Sequence, residues 1–187
     1  MKYKLILASA SPRRQQLMKD AGLHFEIRLK EVGEVWPQTL AHTKVAEYLA
    51  QLKATAFMGE LAADELLITA DTTVCLDAKI LGKPGNREEA IQMLRELSGK
   101  KPTVITGVCL TTTASQKSFS SHTDVYFKEL TDEEIHYYVD TYKPFDKAGA
   151  YGIQEWIGYI GIKKIEGSFY NVMGLPIQQL YETLNNF

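Results

Sequence analysis

The stretch that most constrains this chain is residues 5–18, Leu-Ile-Leu-Ala-Ser-Ala-Ser-Pro-Arg-Arg-Gln-Gln-Leu-Met. Residues 3–8 form a short, nearly continuous apolar run, the pattern of a strand covered on both faces. Ser11-Pro12 then opens a helix. A serine oxygen can accept an orphan backbone N–H, and proline lacks the N–H that would go unpaired at the first helical position. Leu17, Met18 and Ala21 give that helix an apolar face, and Gly22 stops it. Ser9, Ser11, Arg13 and Arg14 therefore fall at a strand-to-helix junction, where free N–H groups and the positive end of the helix dipole face outward. Guanidinium groups in a first turn are unfavourable unless an anion neutralises them. The junction reads as a site for a multiply charged anion, most naturally a phosphate chain, against the plainer alternative of two solvated arginines.

The remaining chain alternates strand and helix patterns. Residues 25–29 predict a second strand, followed by an acidic loop with Glu31, Gly33 and Glu34. Residues 38–58 predict a long helix with Val45, Leu49, Leu52 and Ala56 as its apolar stripe. Lys53 stands at the edge of that stripe, where a lysine either snorkels to solvent or reaches into an adjoining cleft. Residues 66–70 predict a buried strand that ends on Asp71-Thr72-Thr73 before apolar character resumes at 74–76. An aspartate between two apolar runs needs a partner, a hydrogen bond or a cation. It is either a turn residue between two strands or, the reading favoured here, a functional carboxylate at a strand end, where α/β sites cluster. A hairpin at 77–79 leads to Gly82-Lys83-Pro84-Gly85, and Asn86 with Glu89 predicts a capping box on a helix that buries Ala90, Ile91, Leu94 and Leu97. Strands follow at 103–112 and 122–128, then a second capping box at Thr131 and Glu134 with Ile135, Tyr138 and Val139 on one helix face. The glycines of 147–154 suit a backbone that approaches a ligand closely. A strand near 160–165 and a final helix with Ile177, Leu180, Tyr181 and Leu184 complete an α/β fold, a single domain over residues 1–187.

Charge and motif content narrow the function. A net charge of −2 argues against nucleic-acid binding, so a phosphate site must be local. Cys75 and Cys109 sit in strand-like apolar runs without metal spacing, as small core residues of a reducing compartment. The four histidines lack zinc-ligand spacing. The N-terminal apolar run is too short for a signal peptide and meets Pro12-Arg13-Arg14 at once, and no membrane-length stretch is free of charge, so a cytoplasmic protein without a membrane partner is expected. Walker A, GxGxxG, HExxH and GxSxG sequences are absent. What remains is a set of cations (Arg13, Arg14, Lys53, Lys83), two carboxylates (Glu34, Asp71) and polar groups at loops (Ser9, Thr72, Gln154). Two carboxylates among four cations suit a magnesium-loaded triphosphate.

The block Leu7-Ala8-Ser9-Ala10-Ser11-Pro12-Arg13-Arg14 resembles the N-terminal motif of the Maf family of nucleoside triphosphate pyrophosphatases. The resemblance continues, in order, through Ala70-Asp71-Thr72-Thr73-Val74, Leu81-Gly82-Lys83-Pro84, Thr106-Gly107-Val108, Asp146 to Gln154 and Gly167 to Pro176. It implies a Maf/ITPase-like fold, a mixed twisted sheet with flanking helices in two lobes around a substrate cleft. It also implies hydrolysis between the α- and β-phosphates of a nucleotide, in the branch acting on dTTP and UTP. On this resemblance Asp71 accepts the proton, and Glu34 and Asp71 bind a divalent cation, Mg2+ or Mn2+. Lys53 and Lys83 hold phosphates and serve catalysis, while Ser9, Arg13, Arg14, Thr72 and Gln154 contact the substrate. A nucleotide-sensing regulator of septum formation, and the same reaction on 7-methyl-GTP, stay open as alternatives, as does a homodimer.

Overall fold

In the computed structural model, which describes residues 2–187, β1 (Lys4–Leu7) passes into α1 (Pro12–Asp20) as the sequence predicts. The Ser11 hydroxyl accepts the Arg14 N–H at 3.5 Å, and Gly22, at φ +71, turns the chain out of the helix. The chain returns as β2 (Phe25–Ile27), parallel to β1, with Leu5 opposite Phe25. After α2 (His42–Thr55), β3 (Glu65–Leu76) takes the other side of β1, again parallel, with Leu5 opposite Leu66. The succession continues with β4 (Lys79–Leu81), α3 (Arg87–Leu97), β5 (Thr103–Thr111), β6 (Gln116–Phe127) and α4 (Asp132–Tyr142). A 3₁₀ turn at Ala148–Ala150, α5 (Trp156–Gly161), β7 (Ile162–Glu166), α6 (Phe169–Val172) and α7 (Ile177–Asn185) close the chain. The sheet has seven strands in the order β2-β1-β3-β5-β6-β7, with β4 on β3. Parallel pairs at β1 and antiparallel pairs at β3–β4 and β6–β7 make it mixed, the α/β class expected.

The chain divides into two compact units, and β3, β5 and β6 contribute residues to both. The first comprises residues up to 72, 106–121 and 174–187. Ile6, Leu67 and Cys109 pack there against Ala50, Ala54 and Phe57. The buried face of α2 is Val45, Ala46, Leu49, Ala50 and Ala54, so Val45 and Leu49 of the expected stripe are buried while Leu52 and Ala56 are only partly so. Alanines line this face because the helix backbone rides almost on the sheet. A Cβ added at Gly107 of β5 would lie 2.3 Å from the Glu47 backbone nitrogen.

The second unit comprises residues 73–105 and 122–173. Ala90, Ile91, Leu94 and Leu97 of α3 meet Ile135, Tyr138 and Val139 of α4 in its core, as their spacing predicts. The capping box at α4 is complete: Thr131 and Glu134 exchange side-chain-to-backbone bonds of 3.2 and 3.0 Å. At α3 only half forms, because the Glu89 carboxylate accepts from the Gly85 N–H at 2.8 Å in place of the Asn86 N–H.

Three further expectations change. β3 runs unbroken through Asp71-Thr72-Thr73, which therefore lie inside a strand and not after one. β6 begins at Gln116, well before residue 122. Residues 160–161 end α5, and the strand starts at Ile162. No helix among the described residues is long and apolar enough to cross a membrane.

Candidate active site

The fit of α2 against β3 places the first group of functional side chains. The Thr69 hydroxyl donates to the Ala50 carbonyl at 2.6 Å and so fixes the register of helix on strand. From Ala50, one helical turn leads to Lys53; from Thr69, two strand positions lead to Asp71 on the same face. The two side chains consequently meet, with Lys53 Nζ 2.5 Å from Asp71 Oδ1. The same ammonium lies 2.7 Å from Glu34 Oε1, in the loop after β2, so one lysine gathers both sequence-predicted carboxylates. Asp71 is only 8% exposed. Burial pushes its carboxyl up from the usual range, against the pull of Lys53 and Arg14, and the nearby Glu34 charge adds to the rise. A buried carboxylate on an unbroken strand, paired to a lysine from another element, is not a turn residue.

Arg14 turns inward. Its Nε donates to the Gly174 carbonyl at 2.7 Å, and Nη1 donates to the Ala70 carbonyl at 2.9 Å and to Ser9 Oγ at 3.4 Å. Its Nη2 donates to Thr72 Oγ1 at 3.1 Å. Thr72 Oγ1 also meets Thr106 Oγ1 at 2.9 Å, and Ser9 Oγ accepts the Ser11 N–H at 3.3 Å. Three of these four N–H donations join the β1–α1 junction to β3 and to the loop before α7, and the fourth, to Ser9, braces the junction itself. Arg14, Ser9 and Thr72 thus form a clamp that shapes the junction, with the Ala70 carbonyl next to Asp71 among its acceptors. Burial lowers the Arg14 pKa against the pull of Asp71, and Arg13, its half-exposed neighbour in the first turn of α1, lowers it further.

Lys83 and Gln154 belong to the second unit. Lys83 is exposed on the turn after β4. The Gly82 carbonyl beside it accepts the Gly149 N–H at 3.0 Å, which ties this turn to the 147–154 segment. Gly149 takes φ +70, and a Cβ there would press on Val74 at 3.3 Å. Gln154 is half-buried and lines an open groove of about 390 Å3 with Tyr159, Lys163, Lys164 and Phe169. Glu155, the next residue, accepts from Tyr138 and pairs with Lys147, and sequence spacing assigns none of these three to a site.

The family model described as Maf-like protein matches residues 4–187. The chain belongs to the Maf family. A "dTTP/UTP pyrophosphatase" of Bacteroides thetaiotaomicron is 59% identical over 184 residues, covering 98% of this chain and 95% of that protein. A protein of the same name from Phocaeicola vulgatus is 55% identical over the same shares of both chains. Another, from Flavobacterium johnsoniae, is 53% identical over 98% of this chain and 94% of its own. In fold the chain is similar to a HAM1 protein from Coxiella burnetii, with a TM-score of 0.51 at 15% identity, covering 99% of this chain and all of that one. The Maf motif blocks account for both clusters: Ser9 and Arg14 come from the first block, Asp71 and Thr72 from the second, and Lys83 and Gln154 from later ones. Lys53 and Glu34 lie outside the blocks, and the register of α2 on β3 brings Lys53 to Asp71.

Proposed function

We propose that this Maf protein hydrolyses dTTP and UTP to the monophosphate and pyrophosphate. The observation that carries the proposal is the buried Asp71 carboxylate held by Lys53, which also holds Glu34. The names of relatives more than half identical over nearly the whole chain support the substrate class.

A divalent cation, Mg2+ with Mn2+ as the alternative, fits this donor set. Asp71 and Glu34 present oxygens that already converge on one cationic group, and hard cations choose oxygen ligands. Among the described residues no group of three or more histidines, cysteines, aspartates or glutamates could hold a metal. Two carboxylates with the remaining positions left to phosphate and water is the arrangement Mg2+ favours. Bound there, the metal would supply charge neutralisation on the phosphate chain.

The chain's own residues then divide the work. Asp71 takes the proton from the attacking water on its carboxylate, and burial, by raising its pKa, makes it a better base near neutral pH. Lys53 keeps that carboxylate in one orientation and offers positive charge to the phosphates. Arg13 and Lys83 add phosphate contacts, and the Arg14 clamp keeps the junction preorganised through Ser9 and Thr72. The Gln154 amide, with one acceptor and one donor group, matches the adjacent N3–H and carbonyl of uracil and thymine. Two buried free cysteines accord with the reducing cytoplasm where these nucleotides occur.

Initial rates of pyrophosphate release from dTTP, UTP, CTP and 7-methyl-GTP test the proposal. The highest kcat/KM is expected for dTTP and UTP. A preference for 7-methyl-GTP would move the substrate to another branch of the reading, and tight nucleotide retention without turnover would make the protein a sensor.

A further inference from the structure

Gln154 sits in a turn that is closed twice. The Glu155 N–H donates to the Gly152 carbonyl at 2.9 Å, which closes residues 152–155 through the backbone. The second closure runs through Tyr138 of α4. Its hydroxyl accepts the Gly152 N–H at 2.9 Å and donates to Glu155 Oε2. One phenol oxygen thereby grips both ends of the four-residue turn, and Gln154 lies between them. The other oxygen of Glu155 lies 3.1 Å from the Nζ of Lys147, a buried ammonium that also meets Asp146 at 2.7 Å.

Two glycines show how tightly this turn is packed. A Cβ at Gly152 would lie 2.9 Å from the Glu155 carboxyl carbon and 3.0 Å from Lys147, so the absence of a side chain there is what lets the carboxylate fold back. A Cβ at Gly158 would lie 1.8 Å from the Ile153 carbonyl oxygen, so α5 backs directly onto the turn. Tyr138 itself is fully buried, and burial together with Glu155 holds its phenol well above the ordinary value, so it stays a donor to that carboxylate.

The geometry points to Tyr138 and Glu155 as positioning residues for Gln154. They fix the backbone on which the amide is carried, and Lys147 holds Glu155 in place. This rests on Gln154 reading the base, as proposed above. A turn held at one end only would let the amide rotate and shift, and the order of donor and acceptor that separates uracil from cytosine would be lost.

The test measures the ratio of kcat/KM for UTP to that for CTP in wild type, Tyr138→Phe, Gln154→Ala and the double variant, with backbone amide hydrogen exchange across 147–158. Tyr138→Phe is expected to raise exchange at 152–155 and to lower the ratio, by up to about 10²-fold, the scale of a displacement of about 1 Å. Adding it to Gln154→Ala should cause no further fall, because the residue it positions is already gone. Unchanged exchange, or losses that add in the double variant, overturn the positioning role. If Gln154→Ala itself leaves the ratio unchanged, the reading of Gln154 as the base contact fails, and the exchange data alone then decide whether Tyr138 pins the turn. Should Tyr138→Phe not fold, the Glu155 pair carries the same test. Glu155→Gln keeps an acceptor for the phenol and should retain more of the ratio than Glu155→Ala, and equal losses would overturn the proposal.

Discussion

Replacing Asp71 with asparagine should separate activity from stability. The change keeps the shape of the side chain and one oxygen acceptor for Lys53, now 2.5 Å away, and removes charge and basicity. Loss of a general base costs about 10²–10⁴ in rate, and more if Asp71 also holds the metal. Stability moves differently. Removing one partner of a fully buried pair costs about 3–5 kcal/mol, because the other charge is left alone. Here Lys53 keeps Glu34 at 2.7 Å and its side chain is 19% exposed, so the penalty falls well below that range. A second effect opposes it. The folded pKa of Asp71 lies above its unfolded value, so in the window between the two the folded protein binds more protons, and stability falls as pH rises through it. Above that window the ionised carboxylate is a burden on the fold, and the neutral amide lifts it. Asp71→Asn should lower kcat by about 10²–10⁴ while Tm shifts by less than about 4 °C, the equivalent of about 1 kcal/mol in a chain of this size. Thermal melts beside steady-state kinetics decide it. A large fall in Tm, or kcat close to wild type, would refute the reasoning and return Asp71 to a structural role.

Gly107→Ala should force α2 off the sheet, since the new Cβ would meet the backbone of Ala46 and Glu47 at 2.3–2.4 Å. Overpacking of this kind costs about 1–3 kcal/mol, and because α2 carries Lys53 the kcat of the folded variant should fall too; an unchanged Tm would contradict the close approach. Glu65 is held down at about 2, below its ordinary 4.5, by the two-pronged Arg28 contact and the Ala62 N–H. Its contribution to stability is complete above the unfolded value and is lost as pH falls from 4.5 through about 2. Glu65→Gln should consequently be less stable than wild type at neutral pH, with the gap closing across that acid window, and parallel Tm curves would contradict it.

Local signals carried the fold far. The Ser11 cap, the Thr131 box and the apolar spacing of α3 and α4 depend on residues a few positions apart, and each forms as its chemistry dictates. The errors arise where tertiary partners satisfy polar groups inside an element. Asp71, Thr72 and Thr73 read as a break because three polar residues seldom interrupt a buried strand. Lys53 and Arg14, from other elements, give Asp71 and Thr72 their partners, and the strand continues. The start of β6 was hidden for the same reason: Ser118 is polar, yet it bonds to Gln51 and Glu47 of α2.

The site was legible in part. Arg14 stood out as a charge at a helix start, but its acceptors at Ala70, Thr72 and Gly174 are far away in sequence, so no spacing could reveal a clamp. The stripe of α2 was legible at Val45 and Leu49 but not at Ala46, Ala50 and Ala54, because a helix so close to Gly107 buries alanines, and hydrophobicity alone favours larger side chains. Tyr138 was visible only as a core face of α4. The signal that could have drawn it to the site was a buried phenol, which needs a hydrogen-bond partner, together with the unexplained glycine and glutamate flanking Gln154.

Product analysis of UTP hydrolysis tests the central claim most directly, namely that the Lys53–Asp71–Glu34 cluster supports metal-assisted cleavage between the α- and β-phosphates. With Mg2+ present, phosphorus NMR should show UMP and pyrophosphate formed in equal amounts, with neither UDP nor orthophosphate as a primary product, and EDTA should abolish the reaction. Release of UDP and orthophosphate, or turnover undiminished in EDTA, would contradict it.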